Sequence, residues 1–176
     1  MVDGIAAGLA AEAPDSAETF TANAVAYTER LDALDAWITE SMQLVPAEQR
    51  LLVTNHEAFG YFVEAYGLEF VGAVIPSFDD NAEVSAADID ELVAAIEASG
   101  ASAVFSETSL SPAAAETIAG EAGVDVYSGE DGLYGDSLGP AGSDGETYIG
   151  SMVHNVRVLL SAWGATMPEP PATVAD

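Results

Sequence analysis

The sequence predicts an α/β fold: a four-stranded parallel sheet with helices on both faces, preceded by one long linker helix. Three observations carry that expectation. From Arg50 onward, short apolar runs alternate with amphipathic stretches as βαβαβαβα, the order of parallel strands joined by helical crossovers. The runs themselves, Leu51–Thr54, Phe70–Ile75, Ala103–Ser106 and Val124–Tyr127, are short and largely apolar, as strands covered on both faces are. Ahead of them, Phe20, Ala24, Tyr27, Leu31, Leu34, Ile38 and Met42 follow at spacings of three and four, the stripe of an amphipathic helix.

In chain order, Val2, Ile5, Ala6, Leu9 and Ala10 have helical spacing and stop before Ala13-Pro14, so residues 1–13 read as the end of a helix. Asp15 is the expected N-cap of the next one, with Glu18 three positions on to complete a capping box. Residues 14–46 then form the long helix of roughly seven turns. It ends near Val45-Pro46, because the residue before a proline disfavours the helical region. Residues 47–165 make the α/β lobe, with helices expected at Glu57–Tyr66, Ala86–Ser99, Pro112–Ala122 and Thr147–Trp163. Ser85 and Asp88 repeat the capping pattern, and Gly67, Gly100 and Gly123 stand just past helix ends. The tail, residues 166–176, carries Pro168, Pro170 and Pro171 and is expected to be disordered.

Composition narrows the class of protein. A hydrophobic content of 49% and a mean hydropathy of +0.22 exclude a disordered chain. Thirty Asp and Glu face 3 Arg and no Lys, a formal net charge of -27 that repels nucleic acid and anionic membranes alike. The acids are scattered (Glu12, Asp15, Glu18, Asp79, Asp80, Asp88, Asp90, Glu91) and not gathered into a tail. A diffuse coat of this kind is read as adaptation to high salt, where screening tames self-repulsion. The absence of Cys excludes disulfides and thiolate metal sites. No apolar run approaches the roughly 20 residues of a membrane span, and Met1-Val2-Asp3-Gly4 lacks the basic and apolar regions of a signal peptide.

His56 ends the first strand, Glu107 ends the third, and Asp136 comes after the fourth. All three belong to the carboxyl edge of the sheet, where open α/β sheets bind ligands. Imidazole plus carboxylate suits Zn²⁺, Mn²⁺ or Fe²⁺ and lacks the sulfur donors that copper(I) prefers. Composition alone slightly favours a capping or buried hydrogen-bonding role for His56 over a ligand role. His154 and Arg157, inside the last helix, are assigned structural roles. The glycine-rich loop from Gly129 to Gly145 has no Lys and no Gly-x-x-x-x-Gly-Lys pattern, so it is not a phosphate cradle.

Val53-Thr54-Asn55-His56-Glu57-Ala58-Phe59-Gly60-Tyr61-Phe62, Phe105-Ser106-Glu107-Thr108-Ser109, Tyr134-Gly135-Asp136-Ser137-Leu138-Gly139 and Thr147–Val156, in this order and spacing, resemble the zinc and manganese solute-binding proteins of ABC transporters. The resemblance runs from about Val2 to Trp163. It implies a non-enzymatic receptor of two α/β lobes joined by one long helix, which binds a divalent metal ion between the lobes and delivers it to a permease. Such receptors work in the periplasm or on the outer face of the cell membrane. Carried over by motif, His56 is the third metal ligand and Asp136 the fourth, with Glu107 supporting a ligand. The two histidines of the family's N-terminal lobe have no counterpart, so the chain is expected to be the C-terminal lobe with its linker helix and an incomplete site. Two other functions are compatible with the sequence. One is an interaction or dimerisation module using the stripe from Phe20 to Met42; the other is a metal-dependent hydrolase built on His56, Glu107 and Asp136.

Overall fold

The computed structural model describes residues 1–75 and 85–174, which divide into two units, Met1–Trp37 with Glu169–Asp176 and Ile38–Pro168. Asp79 and Asp80 lie outside the described residues.

In the first unit, helix α1 (Val2–Glu12) ends at Ala13, and Pro14–Ser16 form one 3₁₀ turn that leads directly into α2 (Ala17–Met42). The expected Asp15 cap is not made. Proline at the first position sets the turn, and Asp15 sits inside it with no side-chain cap bond. Val2, Ile5, Leu9, Phe20 and Tyr27 line an apolar groove of about 330 Å³. The tail departs from the expected disorder as far as residue 174: the Arg30 guanidinium donates to the Thr173 carbonyl at 3.1 Å, and Val174 is buried. Residues 175–176 lie outside the described set. Within the α2 stripe, Ala24, Leu34, Ile38 and Met42 are buried, while Phe20, Tyr27 and Leu31 are partly exposed.

The second unit is built on β1 (Leu51–His56), β2 (Glu69–Ile75), β3 (Ala103–Phe105) and β4 (Asp125–Tyr127), all parallel, in the order β2-β1-β3-β4. Between them run α3 (Gly60–Tyr66), α4 (Ala86–Ser99) and α5 (Ala113–Ala122), with α6 (Tyr148–Ala162) after the last strand. Gly67, Gly100 and Gly123 end α3, α4 and α5 at φ of 65°, 77° and 69°, the left-handed region closed to most side chains. Ser85 and Asp88 form the expected reciprocal capping box on α4.

β1 runs two residues further than its apolar pattern suggests, because His56 still pairs with Ile75 of β2. The Thr54 hydroxyl and the Ala58 amide then both donate to the His56 carbonyl, at 2.7 and 3.1 Å, and turn the chain out of the strand. Helix α3 therefore starts at Gly60 and not at Glu57.

Sheet order determines which face each helix covers. The chain leaves β1 toward β2 on one side, and leaves β3 toward β4 on the other. Right-handed crossovers then place α3 on one face, with α4 and α5 on the opposite one. The core of that second face joins Leu51, Val53, Val74 and Val104 to Leu92 and Ile96 of α4 and to Ala115, Ile118 and Ala119 of α5. Because the connections part between β1 and β3, a crevice opens there at the carboxyl edge, the topological switch point of the sheet.

Ile96 is 1% exposed within that cluster. Ile96→Ala is expected to lower the free energy of unfolding by about 2–5 kcal/mol, read from urea titrations in molar KCl. A loss below about 0.5 kcal/mol would show that this face is not the packed core.

Candidate metal centre

The register of β1 against β3 builds the site. Thr54 pairs with Phe105, so two residues further along each strand His56 and Glu107 stand side by side at the switch point. Both are about 2% exposed, and His56 Nδ1 lies 2.9 Å from Glu107 Oε1. Glu107 is the one buried carboxylate among the described residues, in a chain with 30 acids. Burying a charge costs several kcal/mol unless it is paired, so this position is set apart from the solvated coat.

Asn55 holds the pair in place. Its amide nitrogen donates to the Ser106 hydroxyl at 3.1 Å, and its amide oxygen accepts from the Glu107 backbone N–H at 3.0 Å. The third member arrives by a different route. Leu133 bridges to Glu107 as a one-residue extension of the sheet, its N–H donating to the Ser106 carbonyl and its carbonyl accepting from Thr108. Three residues later, Asp136 places Oδ2 3.8 Å from His56 Nδ1. Gly135 is needed for this approach, because a Cβ there would overlap the Glu107 carboxylate and touch the Phe59 ring.

His56, Glu107 and Asp136 thus each offer a ligand atom within 4.8 Å of the others. The strand-end positions brought together are those the sequence pointed to. Burial raises the Glu107 pKa above its ordinary value, and the Asp136 charge raises it further, against the hydrogen bond and charge of His56 and a hydrogen bond from the Asp136 backbone N–H, which lower it. A cation near this pair would offset the cost of the buried charge, and nitrogen-plus-oxygen donors fit a borderline divalent ion. The residues present suit such cargo.

His154 and Arg157 stand apart from the three ligand candidates. The Gly132 carbonyl is an acceptor only, so His154 Nε2 carries the proton and donates to it at 2.8 Å. The Arg157 guanidinium is a donor only, so His154 Nδ1, 3.1 Å away, accepts from it. Arg157 also reaches Asp131 at 3.3 Å, a half-exposed pair worth at most about 1 kcal/mol. Reading residue types missed Asn55 and Asn155. The signal for Asn155 was a poor helix former placed inside an apolar helical stretch.

Burial lowers the His154 pKa, and the Arg157 charge lowers it further, although the Gly132 carbonyl and the charges of Asp144 and Asp131 act the other way. A histidine depressed in the folded state is protonated first in the unfolded chain, so its contribution to stability is lost as pH falls below its ordinary 6.5. Relative to His154→Gln, which cannot titrate there, the wild type is expected to lose stability on acidification below that value and to hold it above. Parallel stability–pH profiles of the two proteins would contradict the assignment.

Comparison with known proteins shows the family and the fold. Residues 1–162 match the family described as ZnuA, zinc-uptake complex component A, periplasmic. The chain is 38% identical over 148 residues to the manganese-binding lipoprotein MntA of Halalkalibacterium halodurans, covering 84% of this chain and 48% of that protein. It is 37% identical over 153 residues to the zinc-binding protein TroA of Treponema pallidum, covering 85% and 48%. The solved structure of that periplasmic zinc-binding protein superposes with a TM-score of 0.81 at 33% identity, over 92% of this chain and 58% of that one. The chain spans about half the length of these curated relatives. With its four-stranded parallel sheet and its match over nearly the whole sequence, the chain belongs to the ZnuA family of metal-binding solute-binding proteins.

Proposed function

We propose that this chain is the C-terminal lobe of a zinc or manganese receptor that hands its ion to an ABC importer at the outer face of the membrane or in the periplasm, and that His56 and Asp136 are its two metal ligands. The observation that carries this reading is the buried His56–Glu107 pair at the switch point, with Asp136 brought against it. Glu107 acts through His56. With Nδ1–H donating to Glu107 Oε1, the ring orientation and tautomer are fixed and Nε2 becomes the coordinating atom. The remaining ligands of a four-coordinate site belong to an N-terminal lobe outside these residues, so this chain holds a half-site. An imidazole in this position leans toward zinc over manganese, which favours carboxylates.

Other functions are less well supported. A hydrolytic metal centre keeps three ligands and a separate general base. With Glu107 spent on His56, neither the third ligand nor the base is left. A docking module built on the α2 stripe would have only part of that stripe available, since Ala24, Leu34, Ile38 and Met42 are buried. The acidic coat belongs to the same proposal: it suits a protein working in high salt, and the urea midpoint of unfolding is expected to rise from low to molar KCl. An unchanged or falling midpoint would remove the halophilic reading.

Calorimetric titration with Zn²⁺ and Mn²⁺ in molar KCl, which suppresses diffuse binding to 30 carboxylates, is expected to show one weak saturable site. His56→Ala and Asp136→Asn should each abolish it, and Glu107→Gln should weaken it by about 10–100-fold. A response that survives both ligand substitutions would rule His56 and Asp136 out as ligands.

A further inference from the structure

The Asp136 side chain is 61% exposed, so its place in the site depends on how its backbone is held. Gly132, Leu133 and Tyr134 are each fixed from a different direction. Gly132 O accepts from His154, and Leu133 bonds the sheet through Ser106 and Thr108. Tyr134 turns both of its backbone groups to Asn155 of α6. Its N–H donates to Asn155 Oδ1 at 2.8 Å, and its carbonyl accepts from Asn155 Nδ2 at 2.8 Å. Asn155 is 2% exposed and lies in the interior of a helix started by the Thr147 cap. Its amide pairs with Tyr134 as the backbone of a neighbouring strand would, at the point where the sheet has run out. Tyr134 is two residues from Asp136.

We infer that Asn155 is a positioning residue of the metal site: by clamping the Tyr134 backbone it fixes the segment that delivers Asp136 to His56 and Glu107. This rests on the proposed metal reading and adds to it a residue that never touches the ion.

The test combines amide hydrogen exchange with Zn²⁺ titration of single variants of this same chain in molar KCl. Asn155→Ala is expected to speed exchange at Gly135–Ser137 at least tenfold while Val104 and Phe105 in β3 keep wild-type protection. It is expected to weaken Zn²⁺ binding by about 10-fold or more. Asn155→Asp, which keeps the acceptor for the Tyr134 N–H, should recover part of the affinity. Exchange that rises equally in β3 would mean a general structural role and overturn the inference. So would a saturable site whose affinity Asn155→Ala leaves unchanged. A wild-type chain with no saturable site overturns the metal reading itself, and the positioning role with it.

Discussion

Everything at the carboxyl edge depends on the register between β1 and β3. Two strands only a few residues long share one Thr54–Phe105 pairing, and from it His56 and Glu107 emerge side by side. A slip of one residue would turn the imidazole to the other face and separate it from the carboxylate. The crossovers leave in opposite directions on either side of this pair, so the sheet itself opens the crevice beside it. A buried carboxylate in contact with a buried imidazole is costly in a folded protein, yet here it is held by dedicated bonds from Asn55. That cost is understandable where a divalent ion arrives to balance it. The rest of the acidic chain faces no such constraint.

The site is assembled in layers that use progressively less regular structure. His56 is placed by a strand, Glu107 by the residue just past a strand, and Asp136 by a loop supported at Leu133 on one side and Tyr134 on the other. Only the last of these needs a helix distant in sequence to hold it. The exposed aspartate at the end of that loop approaches the buried pair because Gly135 lets the backbone come close. The His56–Glu107 pair is thus held by the sheet, and Asp136 is held by a braced loop.

Much of this architecture is legible in the residues alone. Periodicity gives the sheet, its parallel sense and the long helix, because buried strands and a one-sided helix leave different hydrophobic periods. The strand-end positions of His56 and Glu107 come from the same reading. What is not legible is set by particular atoms. β1 extends to His56 because of its pairing with Ile75, which no local pattern encodes. Asp15 is drawn into a proline-initiated turn and does not cap α2. The proline-rich tail meets Arg30, a contact across 143 positions of sequence. The distance between Asp136 and His56 depends on the bridge at Leu133 and on the Asn155 bonds to Tyr134, and resemblance to a family supplied what spacing could not.

The central claim is that one divalent ion sits between the His56 imidazole and the Asp136 carboxylate, with Glu107 behind the histidine. Crystals of the chain soaked in Zn²⁺, with diffraction data collected on both sides of the zinc absorption edge, test it most directly. The account predicts one strong anomalous peak about 2.0–2.2 Å from His56 Nε2 and an Asp136 oxygen, with Glu107 still bonded to Nδ1. A peak bound to Glu107 in place of His56, or zinc found only among the surface carboxylates, would contradict it.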